Sequence, residues 1–179
     1  PLKLFYANSE FKWGKPTFVI SNKYAVEMFT RPQNFININT LKQTLALITK
    51  KYQVVYVRPG VPPPEEGAPM EPDLKDIEML RKEYPDVIIM TDLWQKYKDK
   101  GLTRDQLELM VYANCDHFLA VQGSHANLLA YFGGNLIIYN KMGPEVSIPT
   151  ASPFAWYTRF GGANVTVVRY YDALVEIVL

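Results

Sequence analysis

The chain has 179 residues, enough for one α/β domain with a proper core, and its 48% hydrophobic content excludes a disordered segment. With 19 basic and 18 acidic residues, a net charge of +1 and no basic stripe, nucleic acid is not an expected partner. The single cysteine, Cys115, excludes an internal disulfide and fits a reducing, cytoplasmic setting, and two histidines without CxxC or HExxH give no zinc signature.

Residues 1–16 hold Phe5, Tyr6, Phe11 and Trp13 without a clear period. They read as a lead-in to a single domain over 17–179. TFVI at 17–20 is a β-branched run that predicts a first strand, followed by Ser21, Asn22 and Lys23. Ile38, Leu41, Leu45, Ile48 and Tyr52 recur at helical spacing and predict a helix over 39–51. QVVYV at 53–57 is a second strand, ending at Arg58. Residues 60–72 carry five prolines and read as a loop.

Asp73 is the expected cap of a helix whose apolar face is Leu74, Ile77, Leu80 and Tyr84. VIIM at 87–90 predicts a short third strand, followed by Thr91, Asp92 and Leu93. Thr103 and Gln106 form a capping box for a helix through Leu107, Met110 and Val111, with Cys115 at its end. Residues 118–139, FLAVQGSHANLLAYFGGNLIIY, contain no Asp, Glu, Lys or Arg. They predict a buried strand, a small polar turn with Ser124 as N-cap, a short helix closed by Gly133 and Gly134, and another buried strand. The polar residues and three glycines argue against a membrane span. NVTVV at 164–168 is a last strand, and Asp172 is the expected cap of a closing helix. That apolar run stops at Leu179 without a cap, and the chain begins at Pro1, so a piece of a longer protein is expected.

Alternation of this kind predicts an α/β, Rossmann-like open sheet of about six mainly parallel strands, with helices on both faces. Ligands of such sheets bind outside the carboxyl ends of the strands. The residues there are Ser21, Asn22 and Lys23 after the first strand, Arg58 after the second, Thr91 and Asp92 after the third, Gln122, Gly123, Ser124 and His125 after the fourth, and Asn140 and Lys141 after the fifth. Cations, amides and a helix amino terminus suit a diphosphate joined to a sugar better than a metal or an acyl group. Each residue also has a plainer role: Lys23 as a solvated lysine, Arg58 as an ion-pair partner of the acidic proline loop, Asp92 as a cap, and His125 and Glu145 as surface residues.

The segments EYPDVIIMTDLW and YANCDHFLAVQGSHANLLAYFGG, with KPTFVISNKY upstream, resemble the carboxyl-terminal, nucleotide-sugar-binding domain of GT-B glycosyltransferases. The likeness runs from Lys15 to Leu179. It is nearest to a group of bacterial and large-virus transferases with an FxxVQGGxxxLxxxFGG segment, and looser to fucosyltransferases. The resemblance implies that the donor diphosphate lies on the turn from Gln122 to His125 and that Lys23 or Arg58 neutralises it. Ser124 and His125 stand where a second glycine is common. No DxD motif occurs, in keeping with metal-independent transfer to a glycan acceptor. The resemblance also implies a separate amino-terminal domain for that acceptor, so His125, Asp92 and Glu145 stand as donor contacts and candidate bases only. The alternatives are a non-catalytic nucleotide- or sugar-binding module, or a different small Rossmann-like enzyme with His125 or Asp92 as base.

Overall fold

A computed structural model describes residues 2–24, 32, 34–58, 73–142 and 157–178. Its strands fall on the β-branched and apolar runs: β1 (Thr17–Ser21), β2 (Gln53–Val57), β3 (Ile88–Ile89), β4 (Cys115–Val121), β5 (Asn135–Tyr139) and β6 (Asn164–Val168). They pair parallel throughout, in the order β3-β2-β1-β4-β5-β6. The expected α/β, Rossmann-like open sheet is therefore present, with β1 and β4 side by side at its centre.

Strand side chains alternate between two cores. Val19, Val55, Val57, Phe118, Ala120, Leu136 and Ile138 meet helices α4 (Met90–Tyr97), α5 (Arg104–Ala113) and α6 (Ser124–Ala130). Phe18, Ile20, Val54, Tyr56, Leu119 and Val121 meet α2 (Ile38–Ile48), α3 (Asp76–Glu83) and α7 (Tyr171–Ile177). The lead-in forms a four-residue helix, α1 (Leu2–Phe5), and buries Phe11 in the first core. Asn8 ties it down by donating to the Met110 carbonyl at 2.8 Å. Among the described residues no helix is long and apolar enough to cross a membrane.

Local chemistry moved several expected boundaries. Asp73 does not cap α3: the N-cap is Lys75, in the left-handed region at φ 63°. Asp73 instead accepts from the Lys75 amide at 2.8 Å and shapes the turn before the helix. Gly123, not Ser124, is the N-cap of α6, and Tyr170, not Asp172, that of α7, where Asp172 lies in the first turn. The third strand keeps only Ile88 and Ile89, because Met90 already begins α4, a helix absent from the expected order. Cys115 opens β4 rather than ending α5. Burial pushes its thiol up to about 12, so it is an inert core residue. Gly134 makes the return from α6 to β5 possible: it sits at φ 70°, and a Cβ there would come 2.5 Å from the Asp116 carbonyl oxygen.

Candidate functional site at the carboxyl edge

The strand order reverses between β1 and β4: β2 and β3 extend to one side of β1, and β5 and β6 to the other side of β4. The connections leave the sheet in opposite directions there, opening a crevice at the carboxyl ends of the two strands. Ser21, Asn22 and Lys23 flank it from β1, and Gln122, Gly123, Ser124 and His125 from β4. The structure thus brings together most of the residues singled out from the sequence.

Lys23 is half-buried, and its ammonium lies against the turn: a Cβ on Gly123 would fall 2.9 Å from Lys23 Nζ. Gly123 has φ 150° and ψ −171°, a conformation open essentially to glycine alone. The turn is therefore held open by the absence of a side chain, with a cation over the gap. Because α6 has only seven residues, the positive charge at this edge comes mainly from Lys23 rather than from the helix dipole. Ser124 is exposed on the outside of the turn.

The same edge carries buried polar groups without a partner among the described residues. The backbone ladder runs one residue past the strands: Gln122 N donates to the Tyr139 carbonyl and Asn140 N to the Val168 carbonyl, both at 2.9 Å. Continuing the alternation of β4 and β5 puts both side chains on the α5–α6 face, next to each other in register. Asn140 is fully buried and Gln122 is 9% exposed. Gln122 Oε1 and both polar side-chain atoms of Asn140 lack a hydrogen-bond partner among the described residues. Orphaned buried polar atoms cost about 1–3 kcal/mol each, a cost that a ligand with matching hydrogen-bond groups would remove.

On the same face Ser21 Oγ lies 2.5 Å from His125 Nδ1. The other ring nitrogen, Nε2, is 3.1 Å from the Tyr112 hydroxyl and 3.5 Å from Glu108 Oε2. Tyr112 donates to Glu108 Oε2 at 3.1 Å, and Arg104 Nε is 3.4 Å from Glu108 Oε1. Arg104, Glu108 and Tyr112 recur every four residues on α5 and were not singled out from the sequence. That i, i+4, i+8 polar stripe on a helix with an otherwise apolar inner face was the available signal. Burial pushes the Glu108 carboxyl up, but the hydrogen bond and charge of His125, helped by Arg104, more than offset it and hold it below the usual range. Tyr112 is pushed well above the usual phenol range by burial and by Glu108, so it remains a neutral donor.

The depressed Glu108 carboxyl has a consequence for acid stability. The unfolded chain binds the proton more readily, so this group stabilises the fold above the ordinary glutamate value of about 4.3 and loses that contribution as pH falls below it. Urea midpoints between pH 6 and pH 3 should therefore fall less steeply for Glu108→Gln than for the unchanged chain. Equal slopes would show that Glu108 does not titrate with folding.

Asn22 at the crevice edge, and Arg58 and Asp92 away from it, are engaged in structural contacts. Asn22 is fully buried and committed, donating to the Ile36 carbonyl and to Tyr56 Oη at 3.0 Å each and accepting from Ile36 N at 2.9 Å. Arg58, expected beside Lys23, is 3% exposed with its Nε 2.9 Å from Asp76 Oδ2, on the α3 face of the sheet. Asp92 ties α4 to α3 through a two-point pair with Arg81, at 2.6 and 3.2 Å. Glu145 lies outside the described residues.

No protein-family model, curated protein or solved structure matches this chain.

Proposed function

We propose that the crevice between β1 and β4 binds a nucleotide-diphosphate sugar, and that the chain is the donor-binding domain of a metal-independent GT-B glycosyltransferase acting on a glycan acceptor. The observation that carries this reading is the Lys23 ammonium lying over the glycine turn at the reversal of strand order. A diphosphate fits there because the backbone can approach closely and the charge is already in place. Gln122 and Asn140 would supply the hydrogen bonds that orient the sugar or the base. Transfer would need a second domain to bring the acceptor, so this chain alone is expected to bind donor and to transfer it poorly.

A thermal-shift screen of nucleotide sugars tests the reading. A matched donor at 100 times its dissociation constant should stabilise the fold by about 2.7 kcal/mol. A flat response to uridine, guanosine, cytidine and thymidine diphosphate or monophosphate sugars would overturn it. The hydrogen-bonded set around His125 favours a second reading, a small enzyme in its own right.

A further inference from the structure

The groups around His125 form a chain of hydrogen bonds whose direction is fixed at one end. The Glu108 carboxylate can only accept, and Tyr112 donates to it. The Tyr112 oxygen is then left to accept from His125 Nε2–H at 3.1 Å. That assigns the ring proton to Nε2 and leaves the lone pair on Nδ1, which faces the Ser21 hydroxyl at 2.5 Å. A hydroxyl, an imidazole with its lone pair toward that hydroxyl, and a carboxylate behind the imidazole make the arrangement that activates a serine oxygen.

We propose that Ser21 is a nucleophile toward small acyl esters, with His125 as its base and Glu108 and Tyr112 as the residues that position and polarise the ring. The Glu108 carboxyl, held below its usual range, stays ionised at neutral pH and favours the imidazolium that forms. Ser21 is only 2% exposed, which limits the electrophile to a small group such as acetyl. In the first step Ser21 Oγ bonds to the carbonyl carbon as its proton passes to His125 Nδ1. The bond from that carbon to the alcohol oxygen then breaks, and the alcohol takes the proton from Nδ1. Water attacks the acetyl-serine and gives one proton to Nδ1. Ser21 Oγ recovers that proton as its bond to the acetyl carbon breaks, and acetic acid leaves and ionises to acetate by giving its remaining proton to solvent. Nothing is oxidised or reduced, and water is the only further reactant.

4-Nitrophenyl acetate and the intact chain provide the test. The expected result is a burst of 4-nitrophenolate with one acetyl group, found on Ser21 by tandem mass spectrometry. Ser21→Ala should abolish the adduct, and His125→Gln should slow acylation by about 100-fold or more. Glu108→Gln should lower kcat while leaving KM unchanged, which a loss of packing alone would not do. Absence of an acetyl group on Ser21 in chain shown to be folded by circular dichroism would overturn the proposal, as would acetylation confined to Lys23 or other lysines. This outcome is independent of the nucleotide-sugar screen, since it needs no donor.

Discussion

Asp76→Ala should destabilise the fold by about 3–5 kcal/mol, the range for removing one partner of a buried ion pair. Asp76 and Arg58 are 1% and 3% exposed, with Nε and Oδ2 2.9 Å apart. The same carboxylate accepts from the Tyr56 hydroxyl, and Asn22 donates to that hydroxyl at 3.0 Å. Removing the carboxylate takes the Asp76 counter-charge from a buried guanidinium and the acceptor from a buried phenol. Arg58→Ala should cost a similar amount for the converse reason. The paired change Arg58→Met with Asp76→Leu should be far milder, because both desolvated charges leave together. Urea denaturation of the three variants measures this, and an Asp76→Ala loss under about 1 kcal/mol would mean that water or a rearranged side chain compensates the charge.

That pair also bears on function. An arginine after a strand of an open sheet invites a phosphate-binding role, and removal of such a contact would cost about 1.5–3 kcal/mol of affinity. The Asp76 partner predicts a different signature for Arg58→Ala: a large loss of stability and little change in donor affinity for the fraction that remains folded. Measuring both quantities on one variant separates the roles.

The fold was legible because its strands are apolar runs bounded by polar turns. QVVYV and the β5 segment could be placed to within a residue, since a short, mostly buried apolar run rich in β-branched residues has few alternatives. The β3–α4 junction was not, because Met90 follows Ile89 into a helix with no turn residue between them. Capping was misjudged at Asp73, Ser124 and Asp172 for a shared reason. Such side chains serve equally in the turn before a helix or in its first turn, and spacing alone does not separate these positions. At the site, the carboxyl-end rule found Ser21, Lys23, Gly123 and His125, since each lies at the carboxyl end of a strand or within four residues past it. Glu108 and Tyr112 could not be joined to them without knowing that α5 lies beside α6 on one face of the sheet. Asp76 is likewise separated from Arg58 by the proline loop, and only the packing of α3 brings them together.

Lys23→Ala should weaken nucleotide-sugar binding by about 1.5–3 kcal/mol, roughly 10- to 150-fold in Kd, while leaving the fold intact. The magnitude is that of a charge-assisted bond to phosphate. The fold should survive because Lys23 is half-buried at the crevice rather than part of either core. Its ammonium lies against Gly123, which carries no side chain to displace it. Gly123→Ala should act on the same site by another route. Its backbone conformation, at φ 150°, costs a non-glycine residue about 1–3 kcal/mol, and its Cβ would meet Lys23 Nζ at 2.9 Å. The lysine is flexible and would swing away, so this variant should lose both stability and affinity. Added salt should weaken donor binding in the unchanged chain and much less in Lys23→Ala, because screening acts on the charge that the variant lacks. Calorimetric titration at two ionic strengths reads both effects. Equal Kd values for Lys23→Ala and the unchanged chain at low salt would take the phosphate away from this turn, and the donor reading of the crevice with it.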